Sequence, residues 1–468
     1  MPNRPAASEP VADHRDVGRR AGVAANLVPA VVSMLACAVT LLLAYANKAR
    51  CAVGAVDGDG RSLIFDTIKD SNACYSDIQF LWLGRDINEH VFPYVSGGIT
   101  PDGTLTGGAV EYPVLSGLLM WLGALGADDD VAFLLHSALL LAPFALLTAW
   151  LLGRMAGGAA LLWAAGPPLV LYAFHNWELP VVCTAVAAVY VVLVPTRYSL
   201  RARAIAAAVL LGIGFCLKLY PGIFVLPLAV YVLVADRDSA ADKRYDVRGA
   251  LAVVGAAIGT VVAINLPFAL VGYEGWRASI TFQQLRQADI TTNSIWYWGL
   301  RPLFDPSLEA EAAFQDVVSI ASPLLILAAF ALALWLGWRR YAGTGVFPWI
   351  GVSGAMLCGF LLFHKVHSPQ YTLWLIPFLV LLEVPWSAIA GYLMADAAIG
   401  IGVFRYFYAL GAGHSAELEE NIVQFGVWGR AVLLIFFFFA FIRAAQRGSH
   451  RVPETVTDQR RGALVPVS

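Results

Sequence analysis

Charge is scarce in this chain. Asp, Glu, Lys and Arg make up 14% of its 468 residues, where a soluble domain carries roughly a quarter. That shortage excludes an ordinary water-soluble globule. The net charge of −2 supplies no basic field, so nucleic acid is excluded as a partner. The six cysteines show no Cys-x-x-Cys and no His-paired spacing, and no structural metal site is expected. No glycine-rich phosphate loop closing on Lys-Ser or Lys-Thr occurs, which leaves nucleotide-driven pumping without support. No internal repeat with matching motifs is found, which counts against an inverted-repeat transporter.

What fills the chain instead is apolar sequence: 59% hydrophobic residues and a mean hydropathy of +0.67. It comes as continuous Leu/Ala/Val runs approaching the roughly 20 residues of a membrane-crossing helix, not as the alternating strands of a barrel. The expectation is an all-α polytopic membrane protein with about twelve spans. These are placed near 25–46, 131–152, 156–173, 179–194, 204–217, 221–235, 250–271, 319–338, 346–363, 371–382, 386–404 and 425–442. Residues 1–24 and 443–468 read as cytoplasmic disordered tails around a membrane domain at 25–442, with a long first loop at 47–130 carrying interfacial helices. The first run exceeds a signal-peptide core and reads as a retained anchor, although Ala44-Tyr45-Ala46 resembles a cleavage site.

One segment decides the topology. Residues 114–125 are apolar but short, and Asp128, Asp129 and Asp130 follow. If they cross, every later loop changes side. If they do not, Arg154, Arg197, Arg201, Arg203, Arg237, Lys243, Arg244, Arg248, Arg339, Arg340 and the C-terminal arginines all face the cytoplasm. The positive-inside tendency selects the second arrangement, so 114–125 is expected to be an interfacial or re-entrant helix. Both termini are then cytoplasmic. The same choice gathers the chemically interesting residues on the outer face of the cytoplasmic membrane, where ionisable groups at helix ends mark a functional site by default.

Those residues lie in a few short motifs. Tyr75-Ser76-Asp77-Ile78 precedes a run, 78–87, expected to lie flat on the membrane. Asp77 has two readings: the cap of that helix, or the carboxylate that takes a proton from an attacking hydroxyl in an inverting glycosyl transfer. Arg85, Glu111 and Tyr112, with His175, Asn176, Trp177 and Glu178, offer donors, acceptors and rings suited to a sugar. Their bland alternative is a loop-ending turn or an interfacial belt. Tyr220 and Gln370 join them on the sugar or acceptor side, while Lys218 and the group His364, Lys365 and His367 could bind a phosphate; otherwise these cations snorkel to lipid headgroups. Arg286 and Arg405 are weaker candidates of the same kind. Trp296-Tyr297-Trp298 reads first as an interfacial anchor. Cys51 and Cys74 share the first loop, either paired or as free thiols.

Taken in order, Tyr75-Ser76-Asp77-Ile78, Phe92-Pro93-Tyr94, Glu111-Tyr112-Pro113, Asn176-Trp177-Glu178, Lys218-Leu219-Tyr220-Pro221 and Ser368-Pro369-Gln370-Tyr371 resemble glycosyltransferase family 87. That family belongs to the polyprenyl-phosphate-sugar-dependent GT-C superfamily. The Lys218 to Pro221 element is also similar to the K-x-Y-P of the eukaryotic GPI mannosyltransferases. The resemblance covers roughly residues 75–377. It implies an inverting transfer of mannose, or a related hexose or pentose, from a polyprenyl phosphate donor to an envelope lipid or glycan. Asp77 would be the base, with Lys218, His364 and His367 on the phosphate side. The lipid-linked donor is a co-substrate, and no cofactor or metal is implied. The chain departs from the pattern in having Gln370-Tyr371 where some members have two histidines, and Glu178 where Asp is common. The competing class is a lipid or sugar transporter or flippase, which would need charged groups deep in its helices.

Overall fold

The computed structural model describes residues 26–194, 197–235 and 245–448. The expected tail at 1–24, the C-terminal tail beyond 448, and Arg237, Lys243 and Arg244 lie outside them. Each predicted apolar run folds as helix, because in a bilayer only internal backbone hydrogen bonds are available. Among the described residues, seven helices are long and apolar enough to cross a membrane. Those used below are α1 (Leu27–Ala49), α4 (Asp130–Ala156), α6 (Leu200–Leu217), α8 (Val247–Val271), α10 (Leu308–Thr344), α13 (Trp386–Gly411) and α14 (Glu417–Arg443). Between them come α2 (Asp77–Gly84), α3 (Val114–Ala124), α5 (Glu178–Leu193), α7 (Val225–Ala235), α9 (Tyr273–Leu285), α11 (Trp349–Phe363) and α12 (Thr372–Leu381). The β structure among the described residues is slight. Gly98–Ile99 pairs antiparallel with Leu105–Thr106, and two isolated bridges occur, between Val56 and Ser62 and between Leu382 and Gln446.

The run at 156–173 is not one helix. It breaks into Gly157–Ala160, Leu161–Ala164 and Pro167–Tyr172, because Gly157 and Gly158 loosen its start and Gly166-Pro167-Pro168 removes amide donors from its middle. The helix α12 is the centre of the bundle. All ten of its residues are buried, as befits a segment that is apolar all round.

Helix α3 has 11 residues, about 16 Å of rise against a hydrocarbon core of about 30 Å. Both its ends are tied to the first loop. The Trp121 indole donates to the His90 carbonyl at 3.2 Å, and His90 Nε2 lies 3.0 Å from the carbonyls of Ala124 and Ala127. The Asp130 amide donates to Gly60. The helix is therefore strapped to the first loop that precedes it. Its close fit depends on Gly117, where a Cβ would stand 2.2 Å from the Tyr94 hydroxyl. That hydroxyl donates to the carbonyls of Tyr112 and Pro113, so Tyr94 fixes the turn that delivers Tyr112.

Three local expectations change. Helix α2 does not lie on the membrane: Ile78, Gln79, Leu81 and Trp82 are buried against protein and only Phe80 is exposed on its apolar side. The loop 50–75 folds over it, and Arg61 donates to the carbonyls of Gln79 and Phe80. Trp296 and Trp298 are likewise buried, the first donating to the Phe363 carbonyl at 2.8 Å, so they bind helix ends together and do not anchor in lipid. The C-terminal tail begins later than 443, since the Ala445 carbonyl accepts from Glu383 and the Arg447 amide donates to Leu381. Cys51 and Cys74 form a disulfide that packs on buried Phe65.

Candidate active site

The connections at 71–77, 111–112, 173–177, 218–220, 283–294 and 364–371 meet at the same end of the bundle and enclose a cavity of about 520 Å³. The shorter apolar helices Glu178–Leu193, Tyr220–Ala235, Trp349–Phe363 and Pro369–Leu381 each present one end to it.

Asp77 lies on its wall. Ser76, and not Asp77, is the N-cap of α2: its hydroxyl oxygen accepts from the Ile78 amide, and the hydroxyl donates to the Phe174 carbonyl at 2.7 Å. The capping reading of Asp77 is therefore wrong, and its carboxylate is left for other partners. The Tyr75 hydroxyl donates to Oδ1 at 2.8 Å and Asn176 Nδ2 donates to Oδ2 at 2.6 Å. Asn176 also donates to the Tyr112 hydroxyl at 2.7 Å, while its Oδ1 accepts from the Trp177 amide, which fixes the orientation of the amide. The Asp77 amide donates to the His175 carbonyl at 2.8 Å, so residues 75–77 and 174–176 are zipped together. Each carboxylate oxygen keeps a free lone pair.

Behind Asp77 stands Lys48. It is 2% exposed, and its ammonium donates to the Tyr75 carbonyl at 2.7 Å and lies 3.5 Å from His175 Nδ1. A donor at Nδ1 leaves the proton on Nε2, which lies 4.0 Å from Asp77 Oδ2. Burial, aided by the Lys48 charge, pulls the His175 pKa down to about 3, so the imidazole is neutral.

Lys218 follows the last residue of α6. It makes a buried ion pair with Glu178, whose second oxygen accepts from the Trp374 indole at 2.6 Å. Its ammonium lies 5.2, 5.5 and 5.8 Å from the ring centroids of Tyr112, Tyr371 and Trp374. Burial works against the charge, but Glu178 and Tyr371 hold the Lys218 pKa above its ordinary value. Tyr220 is buried and stacks on Trp374 at 4.3 Å, so it supports this aromatic group from outside the cavity. Trp177 and Glu178 are buried behind the wall in the same way.

Arg85 and Glu111 line the cavity but pair with each other through two hydrogen bonds of 2.6 and 3.0 Å, which neutralises both. Gln370 and His364 line it as well. The cationic cluster expected at 364–367 does not form. Burial lowers the pKa of both His364 and His367, His364 Nδ1 is engaged by Val366, and Lys365 turns to the Gln284 carbonyl. Lys365 and His367 are not on the cavity wall. Arg286 is, and among the described residues it has no carboxylate partner. Its partner is the Thr291 hydroxyl at 3.1 Å. Arg405 instead pins Ser71 at 2.9 Å.

Fold and cavity together define a polytopic membrane protein with a polar, substrate-sized site cut into one end of its helix bundle. Residues 181–442 match the family described as Mannosyltransferase (PIG-M), more than half of the chain, and the protein belongs to that family of GT-C membrane glycosyltransferases. No curated protein and no solved structure matches the chain. The matched region contains Lys218, Arg286 and the 364–371 connection; Asp77 and residues 175–178 precede it.

Proposed function

We propose that the cavity transfers mannose, or a related hexose or pentose, from a polyprenyl phosphate donor to a hydroxyl of an envelope lipid or glycan, with inversion. The observation that carries this reading is the Asp77 carboxylate, fixed by Tyr75 and Asn176 on the wall of a cavity that also receives the positive charges of Lys218 and Arg286. Asp77 accepts the proton of the acceptor hydroxyl as that oxygen forms the new bond to the anomeric carbon. The bond from that carbon to the donor phosphate breaks, and the electron pair leaves on the phosphate, whose charge Lys218 and Arg286 stabilise. Tyr112, Asn176 and Gln370 offer hydrogen bonds to sugar hydroxyls.

The site belongs on the outer face of the cytoplasmic membrane in this reading. Two features support it: the Cys51–Cys74 disulfide covers the site's first loop, and such bonds persist in oxidising compartments. Among the described residues, Arg154 beside Asn26 and Arg340 on Ile442 lie at the opposite bundle end. The motif order favours a member resembling family 87. Purified protein supplied with radiolabelled polyprenyl-phosphate-mannose and native membrane lipids should transfer label, in EDTA as well as without it. Transfer that stops in EDTA overturns the metal-free phosphate departure, and transfer from a nucleotide sugar alone overturns the donor.

A further inference from the structure

The helices that close the bundle carry a buried charge pair that no step above uses. Asp396 in α13 and Arg430 in α14 are each 1% exposed, with Arg430 Nη1 3.9 Å from Asp396 Oδ1. Buried charge in a membrane domain is costly unless paired, and an ion pair there stabilises less than apolar residues of the same volume would. Its partners say what it does. Arg430 Nη2 donates to the carbonyls of Asn293 and His367, both at 3.2 Å. The Tyr172 hydroxyl donates to Asp396 Oδ2 at 3.0 Å, and the Thr372 hydroxyl donates to Oδ1.

Tyr172 begins the connection that carries His175 and Asn176. Asn293 ends the connection that carries Arg286 and Thr291. His367 and Thr372 bracket Ser368, Gln370 and Tyr371. One pair therefore grips three of the connections that wall the cavity, while touching no cavity surface itself. The connections at 292 and 367 are further joined by the His367 amide donating to the Thr292 carbonyl at 2.7 Å. Asn293 holds a left-handed backbone, φ 51°, a conformation that asparagine adopts more readily than most residues.

We propose that Asp396 and Arg430 are positioning residues for the phosphate end of the site, holding residues 288–294 and 364–371 at the spacing that seats the donor. The proposal rests on the transferase reading above. A guanidinium reaches two carbonyls and a carboxylate at once, whereas an ammonium on a flexible stem does not. Arg430→Lys should therefore raise the KM for polyprenyl-phosphate-mannose about tenfold or more, the loss of one charge-assisted hydrogen bond, with the acceptor KM unchanged. Amide hydrogen exchange should quicken at 288–294 and 364–371 and stay the same at 77–84. The double variant D396N/R430Q leaves no charge buried alone. It should regain the melting temperature that Asp396→Asn loses, while its donor KM stays high and its exchange fast. If donor KM recovers along with melting temperature, or if Arg430→Lys changes neither KM nor exchange, the pair is structural only and the proposal is overturned. If the wild type transfers sugar from no polyprenyl phosphate donor, the transferase reading fails instead, and the exchange measurement still decides whether the pair holds the two connections.

Discussion

Asp77→Asn tests the proposed chemistry with little disturbance to the fold. Asparagine is nearly isosteric, and the site can accept it. Asn176 is held with its Nδ2 toward residue 77, because its Oδ1 takes the Trp177 amide. The new amide must therefore turn its oxygen to Asn176 and its nitrogen to Tyr75, whose hydroxyl can accept instead of donate. Both hydrogen bonds survive, and Ser76 still caps α2. What is lost is the lone-pair basicity and the negative charge. A positioned general base contributes about 10²- to 10⁴-fold, which is about 3 to 5 kcal/mol of barrier. Label transfer by Asp77→Asn should fall by that factor through kcat, with the donor KM held within about threefold, because Lys218 and Arg286 are untouched. The melting temperature in detergent should match the wild type. A variant that folds normally and transfers sugar at a wild-type rate would refute Asp77 as the base, and a loss appearing wholly in donor KM would move it to the phosphate site.

The Lys218–Glu178 pair should behave asymmetrically. Lys218→Met leaves Glu178 charged and buried and should cost about 3 to 5 kcal/mol of stability, whereas Lys218→Met with Glu178→Leu should recover most of the melting temperature without restoring transfer; restored transfer would exclude Lys218 from phosphate stabilisation. Cys51→Ser removes a cross-link between residues 23 apart in sequence, a loss of about 3 kcal/mol on the loop-entropy relation, and an unchanged melting temperature under non-reducing conditions would mean the bond does not form in the membrane. Acid should also weaken the fold through His175. Its folded pKa, about 3, lies below the ordinary histidine value near 6.5, so the unfolded chain binds more protons between these limits. The stability it contributes is complete above about pH 6.5 and declines as the pH falls toward about 3. Melting temperatures recorded from pH 7 to 4.5 should fall, and less steeply in His175→Gln; parallel slopes would remove His175 as a cause.

The architecture was legible because a bilayer imposes a simple rule on sequence: long apolar runs must become helices. The expectation that 114–125 does not cross rests on a related rule, since arginine placement depends on topology and not on packing. Several residues of the cavity wall were readable too. Asp77, Asn176, Lys218 and Gln370 are polar residues at the ends of apolar runs, and a helix end is where a membrane protein can afford them. Their partnerships were not readable. Arg85 cancels Glu111 across 26 residues, and Lys218 meets Glu178 across 40. Sequence cannot show which of two charges is neutralised when the pairing is made by packing.

Asp396 and Arg430 were missed for the opposite reason. Each is a single charge in a strongly apolar run, and one such residue lowers a hydropathy average only slightly. A rule that treats every lone charge inside a span as functional would have flagged both, but not Lys48, which follows the expected span 25–46. Composition and pattern alone therefore determined a helical membrane protein with its polar chemistry gathered at one end. Only the tertiary structure decided that Ser76 caps α2 and frees Asp77, that burial lowers the pKa of the histidines at 364 and 367, and that Arg286 has no carboxylate partner among the described residues. Those outcomes depend on distances between segments far apart in the chain, which the bundle's packing sets and local sequence does not encode.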